Sequence, residues 1–243
     1  MSTGSSPAAP AYGPGSAIWY ALLTGLSGIV ARILTRVEVV GADRVPAEGG
    51  IILAANHLHL FDPPLVASAC PRRVHPMAKR ELFETPLVGW ALRPYGAFPV
   101  RRFSADMGAL RAARNLLREG RAVLMFPEGT RSKDARLHPA LPGAAMVALL
   151  AGAPVVPVAV TGTEAIQMPG IFFGWLLGRR PRLRVEFGEP FTFGPGTDAR
   201  RAEQCTDEMM RRIASMLPEP YRGAYGAGSE GTVVVSRQEQ PED

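Results

Sequence analysis

The residues best placed for chemistry are His57 and Asp62, within Asn56-His57-Leu58-His59-Leu60-Phe61-Asp62-Pro63. An imidazole exchanges protons near neutral pH, and a carboxylate on one ring nitrogen leaves the other to accept a proton. Five residues apart on a regular helix, the two side chains would be rotated by about 140° and would not share a face. Joint action therefore requires a turn. The flanking elements supply one: Ile51-Ile52-Leu53-Ala54-Ala55 reads as a buried strand, and Pro63-Pro64 suits the opening of a helix. The plainer reading places each residue separately, in a loop or at a helix cap.

A second run, Phe126-Pro127-Glu128-Gly129-Thr130-Arg131-Ser132, follows the apolar segment 122–126. A strand ending in a glycine turn offers backbone N–H groups, and Thr130 and Arg131 add a hydroxyl and a forked cation. That set suits an oxyanion such as phosphate. Three readings stand for Glu128: it orients Arg131, accepts a polyol hydroxyl, or holds the loop. An ordinary turn with a surface ion pair is the alternative to the whole site. Between residues 70 and 136, Lys and Arg outnumber Asp and Glu by eight. Most of those cations belong on solvated helix faces. Arg102 and Arg131 stand apart because each follows a predicted strand. Parallel strands would bring them to the edge that carries His57, where open α/β sheets bind ligands.

The elements that must position these residues alternate. Strands are predicted at 37–40, 51–55, 122–126, 153–160 and 183–187, with an extended segment at 74–78 and a strand-to-loop passage over 96–102. Helices are predicted at 63–70, 79–92 with a break at Pro86, 104–119 with Ser104 as cap, 140–150 and 202–217. This pattern predicts an α/β fold, a mixed and largely parallel sheet flanked by helices. Pro76, Pro154 and Pro157 argue that their strands lie at an edge or are irregular. Residues 1–15 have the composition of a flexible tail without a basic leader, residues 35–218 form the main domain, and 219–243 read as a second tail.

Residues 16–34 form a nearly all-round apolar helix, short for a bilayer span and interrupted by Arg32. An interfacial or re-entrant anchor is the preferred reading, with a packed soluble helix as the alternative. Ile171–Leu177 is apolar and aromatic beside Arg179, Arg180 and Arg182. It reads either as core or as a surface for an anionic membrane or an acyl chain. A net charge of +5 suits an anionic partner. Nucleic acid is the weaker candidate, because the aromatics sit in apolar runs and no nucleic-acid motif occurs. Cys70 and Cys205 form no metal or redox pattern. Neither a G-x-S-x-G elbow nor a nucleotide-binding glycine fingerprint occurs.

Taken in order, Asn56-His57-x-x-x-x-Asp62, Gly96-Ala97-Phe98-Pro99-Val100-Arg101-Arg102, Phe126 to Ser132 and Val156-Pro157-Val158-Ala159-Val160 resemble the glycerophospholipid acyltransferase family, over roughly residues 35–215. The likeness is strongest to bacterial 1-acyl-glycerol-3-phosphate acyltransferases. It implies acyl transfer from acyl-CoA or acyl-acyl carrier protein to a lysophospholipid hydroxyl at the cytoplasmic face of a membrane, with no cofactor or metal and no covalent acyl-enzyme. His57 would be the base and Asp62 its orienter. Arg102, Glu128, Gly129, Thr130 and Arg131 would handle the glycerol phosphate, with Asn56, His59 and Arg101 in support. His59 stands where Ser is frequent, and Arg101 stands where an acid is frequent. Other lipid alcohols remain alternative acceptors, and a non-catalytic lipid-binding protein is the alternative class.

Overall fold

A computed structural model describes residues 14–101, 106–167, 169–194 and 196–226. Helix α1 (Pro14–Leu34) leads into strand β1 (Arg36–Val40). Strand β2 (Ile51–Ala55), helix α2 (Asp62–Ala69) and strand β3 (Val74–Lys79) follow. Helices α3 (Arg80–Glu84) and α4 (Pro86–Tyr95) are divided at Thr85, and strand β4 is Phe98–Val100. Then come helix α5 (Met107–Arg118), strand β5 (Ala122–Met125), helix α6 (Gly143–Ala151) and strand β6 (Val155–Thr161). Helix α7 (Gly170–Leu176), strand β7 (Arg182–Phe187) and helix α8 (Ala199–Met216) complete the set.

The strands form a seven-stranded sheet in the order β1-β7-β6-β2-β5-β3-β4. β2, β3, β4, β5 and β6 run one way, while β7 is antiparallel to β6 and β1 is parallel to β7. The expected mixed, largely parallel sheet is therefore present. Side chains alternate between two cores, as the pleat requires. Ile52, Ala54, Val123, Met125, Val155 and Ala159 join residues of α5, α6 and α8. Ile51, Leu53, Ala55, Leu124, Val156 and Val158 join residues of α1 and α2. Burial on both faces explains why the central strands are continuous apolar runs.

Several expectations are corrected. β3 and β6 are both internal despite their prolines. β3 pairs with β5 over 74–76 and with β4 over 77–79, so at Pro76 one side has no ladder to complete. The carbonyl of Pro157 accepts from Gly188, just beyond the end of β7, so its missing N–H also faces a place where the ladder has ended. The cap of α5 is Asp106, whose carboxylate accepts from the N–H groups of Gly108 and Ala109. Ser104 lies outside the described residues. The chain from 219 to 226 is packed rather than tail-like: Tyr225 is buried and its hydroxyl accepts from the Ala140 N–H. Tyr221 donates to Glu164. Residues 1–13 and 227–243 lie outside the described residues.

Candidate active site

β2 and β5 are neighbours and parallel, so the chain leaving each enters the same rim of the sheet. His57 lies two residues beyond β2. Asp62 opens α2, with Pro63 and Pro64 in the first turn. The turn brings the side chains together: His57 Nδ1 is 2.8 Å from Asp62 Oδ2. The same oxygen accepts the backbone N–H groups of Leu58 at 2.6 Å and His59 at 2.7 Å. Asp62 is wholly buried and His57 nearly so. A carboxylate oxygen receiving two N–H donors favours a third donor, which sets the proton on Nδ1 and the lone pair on Nε2. Among the described residues, Nε2 has no hydrogen-bond partner. The arrangement can accept a proton at a defined atom.

The 126–132 segment holds this histidine from its backbone and its ring. The His57 N–H donates to Glu128 Oε1 at 3.1 Å, and the His57 carbonyl accepts from Ser132 at 2.7 Å. The Phe126 ring stacks on the imidazole with centroids 4.1 Å apart. Glu128 also accepts the His138 N–H on Oε2 at 3.0 Å and is 4% exposed. Its two oxygens thus hold backbone, which agrees with the loop-holding reading among the three. Burial pushes the Glu128 carboxyl up to about 7, against the two N–H donors that favour its charge. Gly129, at φ +72°, donates its N–H to Phe126. It closes the turn, and this N–H is engaged within the loop.

Thr130 is half-buried and Arg131 is exposed. Arg131 is near enough to oppose protonation of His59, whose pKa is lowered first by burial and also by that charge. His59 Nδ1 accepts the Phe61 N–H, so this ring braces its own turn. Asn56 bridges β2 to β6: its amide donates to the Val160 carbonyl at 2.8 Å and accepts the Val160 N–H at 2.7 Å. The Arg101 N–H donates to Asp106 at the end of β4, on the same rim but two strands beyond β5. Arg102 lies outside the described residues. Phe126 as a ring partner, Ser132 as a backbone clamp and Val160 as the anchor of Asn56 were not anticipated. All three fall in runs singled out above, but their contacts cross between strands and need the strand order to be read.

A buried His–carboxylate pair at the rim of a mostly parallel sheet is an arrangement able to exchange a proton, carried on an α/β scaffold. The chain belongs to the acyltransferase family, whose model, described as Acyltransferase, matches residues 36–161. It is similar to the 1-acyl-sn-glycerol-3-phosphate acyltransferase of Bacillus subtilis, at 29% identity over 77% of this chain and 92% of that protein. It is also similar to the lyso-ornithine lipid O-acyltransferase of Pseudomonas aeruginosa, at 32% identity over 74% of each. Its fold matches the crystal structure of the 1-acyl-sn-glycerophosphate acyltransferase PlsC from Thermotoga maritima, with a TM-score of 0.61 and 23% identity, over 81% of this chain and 79% of that one.

Proposed function

We propose that this acyltransferase makes phosphatidic acid by moving an acyl chain from acyl-CoA or acyl-acyl carrier protein to 1-acyl-sn-glycerol 3-phosphate. The observation that carries this reading is the His57–Asp62 pair, held at 2.8 Å with Nε2 turned away from its carboxylate partner. Nε2 takes the proton of the acceptor hydroxyl as its oxygen attacks the thioester carbonyl carbon. The tetrahedral oxyanion collapses, the C–S bond breaks, and His57 returns the proton to the departing sulfur. Asp62 keeps the ring in the required tautomer and faces the transient imidazolium. Arg131, the Thr130 hydroxyl and Arg102 are assigned to the acceptor phosphate; Glu128 and Gly129 contribute by shaping their loop.

The proposed workplace is the cytoplasmic face of a membrane, with α1 embedded from one side. Residues 16–34 are long and apolar enough to cross a bilayer by length and composition. Yet α1 is fastened to the domain near both ends. Trp19 donates to the Ala91 carbonyl and packs edge-on against Trp90, Tyr20 accepts the Val74 N–H, and Ala31 is buried in the core. The outward face carries Ile18, Leu22, Leu26, Ile29 and Ile33, all exposed. The inward face carries Trp19, Tyr20 and Leu23 toward its start, with the smaller or more polar Thr24, Ser27, Gly28 and Ala31 beyond them. Large aliphatic groups facing outward support a helix lying half in lipid beside its domain.

Purified protein with lysophosphatidic acid and each thioester donor tests the reaction. His57→Ala should lower kcat by about 10²–10⁴-fold while vesicle binding persists. Unchanged transfer would remove the base assignment, and binding without any transfer in the unaltered chain would favour the non-catalytic lipid-binding reading. The relative that acylates lyso-ornithine lipid favours one alternative acceptor. Faster conversion of lyso-ornithine lipid than of lysophosphatidic acid would move the assignment there.

A further inference from the structure

Beyond α1, a second apolar surface is exposed on the same rim as the candidate site. β6 ends and β7 begins there, and α7 fills the connection between them. In α7 only Ile171 turns into the protein. Phe172, Phe173, Trp175 and Leu176, with Leu177 just after the helix, are between 43% and 74% exposed. An aromatic and aliphatic cluster this exposed is more than the scattered apolar residues of an ordinary surface. Gly178, at φ +72°, reverses the chain and places Arg179 and Arg180 directly behind the cluster. Arg180 donates to the Arg32 carbonyl at the end of α1, fixing the cationic segment to that helix.

Arg179, Arg180 and Gln167 border a cleft of about 530 Å³ between α7 and the following loop, and no carboxylate lines it. Arg36 and Arg182, register partners at the starts of β1 and β7, add two exposed cations to this rim. Like charges side by side on adjacent strands are unfavourable unless an anion lies near them. Apolar groups that can enter lipid, backed by guanidinium groups that match phosphate, have the composition of an interfacial anchor.

We propose that α7 and the arginines behind it are a second bilayer contact, recognising a surface of anionic phospholipid headgroups. It rests on the reading that the chain works on membrane lipid and deepens it: with α1, it would tilt the rim carrying His57 toward the lipid. The chain has three tryptophans, Trp19, Trp90 and Trp175. Replacing Trp19 and Trp90 by Phe leaves Trp175 as a reporter. Vesicles containing phosphatidylglycerol should shift its emission to the blue, and brominated acyl chains should quench it. Absence of both effects while vesicles still bind would overturn the proposal and leave α1 as the anchor. An emission shift that follows protein concentration without vesicles would point to a second copy of the chain and overturn it equally.

A second variant carries Phe173→Ser, Trp175→Ser and Leu176→Ser, all at exposed positions. It should bind phosphatidylglycerol vesicles about 10-fold more weakly, with transfer to a short-chain acceptor in solution unchanged. Arg179→Gln should weaken that binding by about fivefold, leaving weak binding to phosphatidylcholine unaltered. Equal losses on both vesicle types would overturn the headgroup assignment. Absence of transfer by the unaltered chain, with its vesicle binding intact, would instead sink the enzyme reading and leave this surface standing.

Discussion

Asp62 concentrates three donors on one oxygen, two of them backbone N–H groups of its own turn. An amide cannot reproduce that, because its nitrogen brings hydrogens and its oxygen carries no full charge. Asp62→Asn should lower kcat by about 10²–10⁴-fold with little effect on KM for the acceptor, and circular dichroism should report a folded chain. Glu128 makes a different prediction. Burial pushes its carboxyl up to about 7 in the folded chain, from an ordinary value of 4.5. Between those values the folded state holds more protons than the unfolded one, so this residue's contribution to stability declines as pH rises through the window. Glu128→Gln should remove that slope from a series of urea midpoints between pH 4.5 and 7, while a slope equal to the unaltered chain's would refute the shift. The histidine and its aspartate were legible in sequence because both partners fall within one short turn. The Glu128 contact was not, since it links residues 71 apart through a backbone N–H that has no sequence signature.

At the scale of elements, local pattern located nearly every strand and helix, and errors arose where a neighbour decided the outcome. The prolines of β3 and β6 point to an edge position or an irregular strand; both strands are internal, and each proline sits where one partner strand stops, a property of the pairing rather than of the residue. Similarly, α7 stood open between core and lipid-facing surface because aromatic content alone does not say which side of a helix is covered. The loop after the candidate site contains one testable strain. Ala135 adopts φ +59° between Asp134 and Arg136. Left-handed backbone disfavours a Cβ, while glycine loses more entropy on folding. Ala135→Gly should therefore be neutral to about 1 kcal/mol stabilising in urea unfolding, whereas Ala135→Val should destabilise; the opposite order would exclude strain at this loop.

Across the whole molecule, the candidate site and the Arg72 cluster of backbone contacts occupy opposite rims. His57, Thr130 and Arg131 lie where β2 and β5 end. Near the starts of those strands, the Arg72 guanidinium donates to the carbonyls of Pro46, Gly49 and Gly120 at 2.7, 2.8 and 2.7 Å. Arg72→Ala should cost about 2 kcal/mol of stability and leave kcat on a soluble acceptor unchanged; a matching fall in kcat would show that the rims are coupled. The site is also assembled over two very different spans of chain. His57 and Asp62 can meet as soon as one turn forms, but Glu128, Phe126 and Ser132 reach His57 only after β5 has found β2, with Ile51 beside Ala122. Parallel pairing over such a separation is slow compared with forming helices. On dilution from denaturant, helical ellipticity should therefore recover first and acyl transfer later, with the ladder between β2 and β5. The enzyme's own turnover becomes a clock for the closing of its central sheet.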